Sequence, residues 1–310
     1  MESLEIDDDQ WVRPAKDFKA YVARTKAMQQ ANVPRNYKEA MQSEEASHWL
    51  AGMQEEIDKF NQRHLFDLVR TSDVPKGLRP IPGKWVYLKK INTDGTTRYK
   101  ARWVIRGDIK NGHEALWGDT YAPVVRPQTT MTLFAAAAHY GWHIAQADAV
   151  LAYLNGKLEN PVYMRQPTGF EQGEKNTLVC KLNQALYGLE PSARIWYDTL
   201  STKLKSLSFR VSAYDPALWI HTKKPSLYVT SHVDDFKITG PNRDYIQWVL
   251  DTLGKKFDIK DLGQMKRYLG MDVLFTENGC KLTQSSHIDE LVRSVGMERA
   301  TQCLPRLKLV

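Results

Sequence analysis

Asp234 and Asp235 stand side by side in TSHVDDFKIT, residues 230–239. Adjacent aspartates usually sit in solvated turns, where Asp is favoured. These two interrupt a β-type run carrying Val233, Phe236 and Ile238, and Gly240-Pro241 closes the unit only later. A tight turn between strands sets both carboxylates at one sheet edge, where burying unpaired charge is costly. A third acid, Asp148, ends an apolar stretch within HIAQADAVLAYLNG, a similar setting. If the two segments are neighbouring strands, three carboxylates converge and raise one another's pKa. Divalent cations resolve that conflict. Magnesium takes hard oxygen ligands, few of them from protein, and completes its shell with water and substrate phosphates. Two such ions roughly 4 Å apart activate an attacking oxygen and stabilise a leaving one. That is phosphoryl or nucleotidyl transfer chemistry.

The elements around these acids are readable from periodicity. From Ser43 an apolar stripe of Leu50, Met53, Ile57 and Phe60 predicts a helix. VPKGLRPIPGK breaks it. Two β-rich runs flank Asp94-Gly95, a hairpin signature. In the second run Arg98, Lys100, Arg102 and Arg106 share one face with Val104; Tyr99, Ala101, Trp103 and Ile105 take the other. The basic face reads either as a solvated strand face or as a ribbon laid against phosphates, and its lack of acids favours phosphate. TTMTLFAAAAHYGW predicts a helix stopped near Gly141. His139 and His143 are four apart, but Gly141 lies between them and no Glu follows the first, so they read as structural. SARIWYDTLSTKLKSLSF predicts a helix with a stripe of Ala193, Trp196, Leu200, Leu204 and Leu207, capped by Ser192. Further helices are expected over residues 243–254 and around Ile288, Leu291, Val292 and Val295, with a hairpin at Asn278-Gly279. Helices and antiparallel hairpins alternate irregularly, which argues an α+β class.

Composition sets the frame. The chain has 310 residues, 42% hydrophobic and 25% charged, with a net charge of +7. It is globular, and the charge modestly favours a polyanionic partner. Three scattered cysteines give neither a disulfide framework nor a zinc spacing. The acidic N-terminus MESLEIDDDQW is no secretory signal. No apolar run approaches the roughly 18 residues of a membrane span, so no membrane partner is expected.

The strings RYKARWVIRG, YAPVVRPQTT, QADAVLAYLNG, VYMRQPTGF, VCKLNQALYGL, SARIWYDTL, HVDDFKITG and DLGQMKRYLGMDV occur in this order. Together they resemble the reverse transcriptase of copia-type LTR retrotransposons, from about Tyr37 to about Met297. The resemblance implies a right-hand fold of fingers, palm and thumb, with an antiparallel palm sheet flanked by helices. It implies RNA-directed DNA polymerase activity with two Mg²⁺ ions, Mn²⁺ being a possible substitute. Partners would be an RNA or DNA template, a DNA or RNA primer and dNTPs. The expected layout is a flexible linker over 1–35, a helical extension over 36–74, and interleaved fingers and palm over 75–240. A primer-grip region and the start of the thumb follow over 241–300, then a divergent tail over 301–310. RNase H and integrase segments are absent from this chain, which suggests a piece of a longer polyprotein or a decaying copy. The family implies cytoplasmic localisation within virus-like particles.

Residue by residue, Asp148, Asp234 and Asp235 match the catalytic, metal-binding acids, with Asp235 the more peripheral. The amides of Ala149 and Val150 would lie near the triphosphate. Tyr153 matches the aromatic gate that collides with a ribose 2′-OH. Gly188 and Ser192 match the loop around the incoming base. Arg102 matches the fingers arginine that grips the triphosphate, with Lys89 or Lys90 as its partner. Leu269, Gly270 and Met271 match the primer-grip turn, and Arg98 and Lys100 are expected on primer or template. Departures are His232 where tyrosine is usual, Glu190 where a basic residue is common, and Lys237 in place of an apolar residue. They keep open an alternative, a catalytically impaired relict that only binds nucleic acid. A two-metal nuclease is a third reading.

Overall fold

The computed structural model describes residues 33–91, 96–174, 176–268, 271–276 and 279–294. The expected linker up to residue 32, the Asp94-Gly95 turn, Leu269, Gly270, Asn278, Val295 and the 301–310 tail lie outside the described residues. The chain divides into two compact units. The larger holds the described residues of 34–266 and 274–281, and the smaller holds residue 33 and the described residues of 267–273 and from 282.

The larger unit opens with helix α1 (Tyr37–Gln42) and helix α2 (Ala46–Gln62). Asn36 caps α1 by accepting from the Glu39 amide at 3.0 Å, while its own amide donates to Glu39 at 2.8 Å. Strands β1 (Phe66–Arg70), β2 (Gly83–Ile91) and β3 (Thr97–Ile105) follow. Helix α3 (Pro127–Tyr140) starts on proline and stops at Gly141, which takes φ +67°. Then come β4 (His143–Ala149), β5 (Lys157–Met164), β6 (Leu178–Gln184) and helix α4 (Ser192–Ser206). The unit continues with β7 (Phe209–Val211), β8 (Leu218–His221), β9 (Tyr228–His232), β10 (Asp235–Gly240), helix α5 (Arg243–Gly254) and β11 (Ile259–Gln264).

Three sheets organise it. A six-stranded sheet runs β11-β4-β10-β9-β8-β7, antiparallel at every pair. β1-β6-β5 form a second sheet, and β2-β3 a hairpin. The mixture is the α+β class that the sequence predicts. One core carries Ala147 and Ala149 of β4, Phe236 and Ile238 of β10, Trp196, Leu200 and Leu204 of α4, and Val249, Leu250 and Leu253 of α5. The strand period of two sends the alternate residues of β10, Lys237 and Thr239, to the opposite face, where both are also buried.

Helix α2 lies along β3. It buries Trp49, Gly52, Met53, Glu56, Ile57 and Phe60. Leu50, which the sequence places in the stripe, is 45% exposed, and Trp49 takes its place. Gly52 suits this docking, because a Cβ there would sit a tight 3.1 Å from the Tyr99 carbonyl oxygen. In the smaller unit, helix α6 (Ser285–Ser294) begins where the Ser286 amide donates to Asp272 at 3.0 Å. Strand β12 (Arg267–Tyr268) pairs antiparallel with the start of β13 (Met271–Thr276), Arg267 opposite Asp272 and Tyr268 opposite Met271, and strand β14 (Gly279–Thr283) precedes α6.

Candidate active site

The two acid segments are neighbouring strands. Register pairs Asp235 with Asp148 directly across β10 and β4. Residues opposite one another project to the same face. Asp234 and Val233 form the two-residue turn from β9 to β10. Val233 takes φ +61°, a left-handed conformation that a β-branched residue rarely adopts. Two bonds hold that turn. The Trp196 indole donates to the Val233 carbonyl at 2.9 Å, and the Ala149 amide donates to the Asp234 carbonyl at 2.8 Å. The hairpin tip is thereby fixed to α4 and to the end of β4. Strain held in this way is typical of functional turns.

Each carboxylate has a different environment. Asp148 is half-buried; burial, then the charges of Asp234 and Asp235, lift its carboxyl above the ordinary range, while Lys100 and Lys260 oppose the rise. Lys260 is its cross-strand neighbour on β11. Asp235 accepts from the Gln146 amide at 3.0 Å and from the Lys237 ammonium at 2.8 Å. Burial pulls the Lys237 ammonium below its usual value, and Asp235 pushes it back up. Among the described residues, no three His, Cys, Asp or Glu side chains form a ready-made metal cage. The Asp235 carboxylate is turned to Lys237 and Gln146, while Asp148 and Asp234 carry no such ion pair among the described residues.

A file of rings leads away from the acids. Tyr153, in the single turn Ala152–Asn155, meets the Tyr187 ring edge-on at 5.2 Å. Burial, then Asp234, raises its hydroxyl pKa. The Arg102 guanidinium lies over Tyr187 at 4.8 Å. Burial pushes the Tyr187 hydroxyl up to about 12. Gly188, at φ +86°, lets this loop cross β3, since a Cβ there would overlap the Ile105 carbonyl oxygen. The Ile105 amide donates to the Tyr187 carbonyl at 3.0 Å.

Other expected contacts take different partners. The Ala149 amide serves Asp234, and the Val150 amide donates to the Asp258 carbonyl at 2.8 Å. Neither amide is left over for a triphosphate in this conformation. Ser192 does not cap α4, whose N-cap is Pro191; its buried hydroxyl donates to the Leu186 carbonyl at 2.7 Å. Acids from α2 and the residue before it reach both faces of the β2-β3 hairpin, Glu45 on the Tyr99 face and Glu55 at Arg98 of the basic face. Lys89 pairs with Glu45 at 2.5 Å, and Glu45 also accepts from the Tyr99 hydroxyl at 2.8 Å. Arg98 pairs with Glu55 at 3.4 Å, and Arg106 with Asp108 at 2.5 Å. The Lys90 side chain lies outside the described residues. Glu190 is matched by Lys110 at 3.1 Å. His139 is exposed at the end of α3, and His143 opens β4 beside Arg243 at 3.4 Å. Met271 begins β13.

Sequence reasoning missed four residues here. Lys260 and Gln146 become visible only through strand register. Glu56 is buried at 1% exposure with one oxygen lacking a hydrogen-bond partner. Burial raises its pKa against Lys59, Arg102 and Lys100. Tyr187 sits in LYGLEPSA, where an aromatic reads as packing.

Residues 64–308 match the family described as reverse transcriptase (RNA-dependent DNA polymerase). The chain belongs to the reverse transcriptase family. Among its relatives is the retrovirus-related Pol polyprotein from transposon TNT 1-94 of Nicotiana tabacum, 33% identical over 86% of this chain and 20% of the relative. The Pol polyprotein from transposon RE1 of Arabidopsis thaliana is 33% identical over 83% of this chain and 18% of the relative. The transposon Ty1-NL2 Gag-Pol polyprotein of Saccharomyces cerevisiae is 27% identical over 82% of this chain and 13% of the relative. The copia-type resemblance of the motifs is therefore borne out. This reverse transcriptase chain spans about a fifth of the length of those plant polyproteins. Helices α1 and α2 precede the matched residues, although α2 docks on β3. Among the described residues no helix is long and apolar enough to cross a membrane.

Proposed function

We propose that this chain is the polymerase core of a copia-type retrotransposon, joining dNTPs to a primer 3′-OH on an RNA or DNA template. The observation that carries the reading is the pairing of Asp148 with the Asp234-Asp235 turn at one end of the six-stranded sheet. In this reading that sheet is the palm, and the β2-β3 hairpin belongs to the fingers. The fingers and palm interleave over 75–240, and the primer grip with the start of the thumb occupies 241–300.

The donor set fits a divalent cation. Asp148 and Asp234 offer hard oxygens, and burial, then the charges of Asp234 and Asp235, raises the Asp148 carboxyl. When bound, two Mg²⁺ or Mn²⁺ ions would supply an activated 3′-oxygen and a stabilised leaving pyrophosphate. The chain's own residues do the rest. Asp148 and Asp234 would hold the ions. Tyr153, braced edge-on by Tyr187, excludes a 2′-OH. Lys100 and Arg102 carry the positive charge nearest the site on β3, and Lys260 adds a cation from β11. Lys110 offsets the charge of Glu190, one of the departures behind the relict reading.

Primer extension on an RNA template with Mg²⁺ tests the proposal. Asp148→Asn and Asp234→Asn are each expected to lose on the order of 10³-fold in rate. Equal incorporation by wild type and Asp234→Asn would sink the reading.

A further inference from the structure

Three rings stack at the end of the six-stranded sheet away from the acids. Tyr140 and Trp142 lie 5.3 Å apart at 24°, and Trp142 and Tyr228 lie 5.9 Å apart at 29°. His139 meets Tyr140 edge-on at 4.6 Å. Gly141 stops α3, so Tyr140 ends that helix and Trp142 leads into β4. Register sets β10 between β4 and β9, with Thr239 opposite both Ile144 and Tyr228. Trp142 and Tyr228 therefore meet across the end of β10. Packing does not account for Tyr140. Leu133, Phe134 and Ala137 bury α3, whereas Tyr140 is 65% exposed and leaves the file open to water.

Positive charge borders the file. Trp142 also walls a cleft of about 240 Å³, which it shares with Ile144, Leu250, Arg243 and Asp261. The Arg243 Nε lies 3.4 Å from both ring nitrogens of His143, and Arg243 has no carboxylate partner among the described residues. Burial, then Arg243, lowers the His143 pKa, so the ring beside the guanidinium is neutral near pH 7. Lys223 and Lys224 lie in the β8-β9 turn, and the Lys224 ammonium sits 3.8 Å from the Tyr245 ring centroid at the start of α5. Of the nearby acids, Asp244 is exposed, and Asp261 accepts from the Gly263 amide at 2.7 Å within its own bulge. Stacked rings with an open end beside an unpaired cation suit a single strand. Every base has a π face, and the backbone supplies a negative charge at each nucleotide. A duplex offers free base faces only at its ends, and an apolar protein partner would leave Arg243 unmatched.

We propose that Tyr140, Trp142 and Arg243 form a separate binding site for single-stranded nucleic acid, with a base stacked on Tyr140 and a neighbouring phosphate at Arg243. The site is distinct from the acid centre. Five residues of β4 separate His143 from Asp148, roughly 17 Å at about 3.4 Å per residue. The inference does not depend on the polymerase reading.

Photo-cross-linking on the full chain tests this. A single-stranded oligo-dT of about 12 nucleotides carrying 5-iodouracil is irradiated with the protein, and the cross-linked peptide is identified by mass spectrometry. The cross-link is expected within residues 139–143. In fluorescence anisotropy Tyr140→Ala should weaken the strand about 10-fold, while Tyr140→Phe, which keeps the ring, should bind as wild type. Arg243→Gln should weaken binding and lower the slope of log K against log salt by about 0.7. Both side chains are exposed, so these variants should melt within about 2 °C of wild type. A cross-link that maps elsewhere, with Tyr140→Ala binding as wild type, overturns the inference. So does a shift from dimer to monomer in Tyr140→Ala at unchanged strand affinity, which would make this face a contact between two copies of the chain. Wild type that binds no single strand overturns it as well. A cross-link and ring dependence as expected, in a wild type that extends no primer, support this site and overturn the polymerase reading alone.

Discussion

Asp148 bears the electrostatic cost of the site. Its carboxyl is raised by burial first and by Asp234 and Asp235 next. A carboxyl whose pKa is higher folded than unfolded holds its proton more tightly in the folded state. Its contribution to stability is full below the unfolded value, near 3.8, and is lost as pH rises through the folded value. At pH 7 the ionised acid therefore weakens the metal-free fold. Asp148→Asn should raise the metal-free melting temperature at pH 7 by a few degrees while slowing primer extension on the order of 10³-fold, with no gain in melting temperature at pH 3. A lower melting temperature at pH 7 would contradict this account. Tyr153 makes the second prediction at this scale. Its ring is fixed by Tyr187, so shortening it opens space where a 2′-OH would lie. Tyr153→Val should improve ribonucleotide over deoxynucleotide use by about 10²-fold, read as a ratio of kcat/KM values. An unchanged ratio would return Tyr153 to the role of a packing aromatic.

Elements explain what was legible in the sequence and what was not. Residues 243–254 read as a helix and form one, because apolar residues recur at helical spacing and Asn242 caps the start. The β9-β10 hairpin was legible from its two apolar runs. The β1-β6-β5 sheet was not. Its strands are short or half-exposed, and β5 carries Pro161 and a register shift, which blur the period of two. The acid partners of β3 were equally hidden, since Arg98 and Glu55 are 43 residues apart and Lys89 and Glu45 are 44 apart. Helix α2 is therefore part of the fold although it precedes the family match. Gly52→Val should destabilise the chain by about 2–3 kcal/mol in urea unfolding, because the added side chain meets the β3 backbone. Leu50→Ala, on the exposed side of the same helix, should stay within about 0.5 kcal/mol. Equal losses would mean that α2 does not rest on β3 through Gly52.

The whole molecule has a net charge of +7, and part of its basic charge is engaged locally. Lys89, Arg98, Arg106, Lys110 and Arg194 all have carboxylate partners. A long-range positive field remains, yet on the β2-β3 hairpin Lys89 and Arg98 are held by Glu45 and Glu55. Each phosphate neutralised adds about 0.9 to the slope of log K against log salt on duplex and about 0.7 on single strands. Affinity for a primer–template should then fall with salt as expected for only a few contacts. That is a shallower dependence than a bare basic ribbon would give. Glu45 and Glu55 are exposed enough to be changed without opening the core, their side chains being 32% and 48% exposed. Glu45→Gln/Glu55→Gln should release Lys89 and Arg98 and steepen the slope by about one to two units. Binding measured across a salt series for both proteins decides between two roles for these cations. A steeper slope means that α2 and its flank hold back phosphate-binding charge. An unchanged slope means that Lys89 and Arg98 serve only to dock the helix.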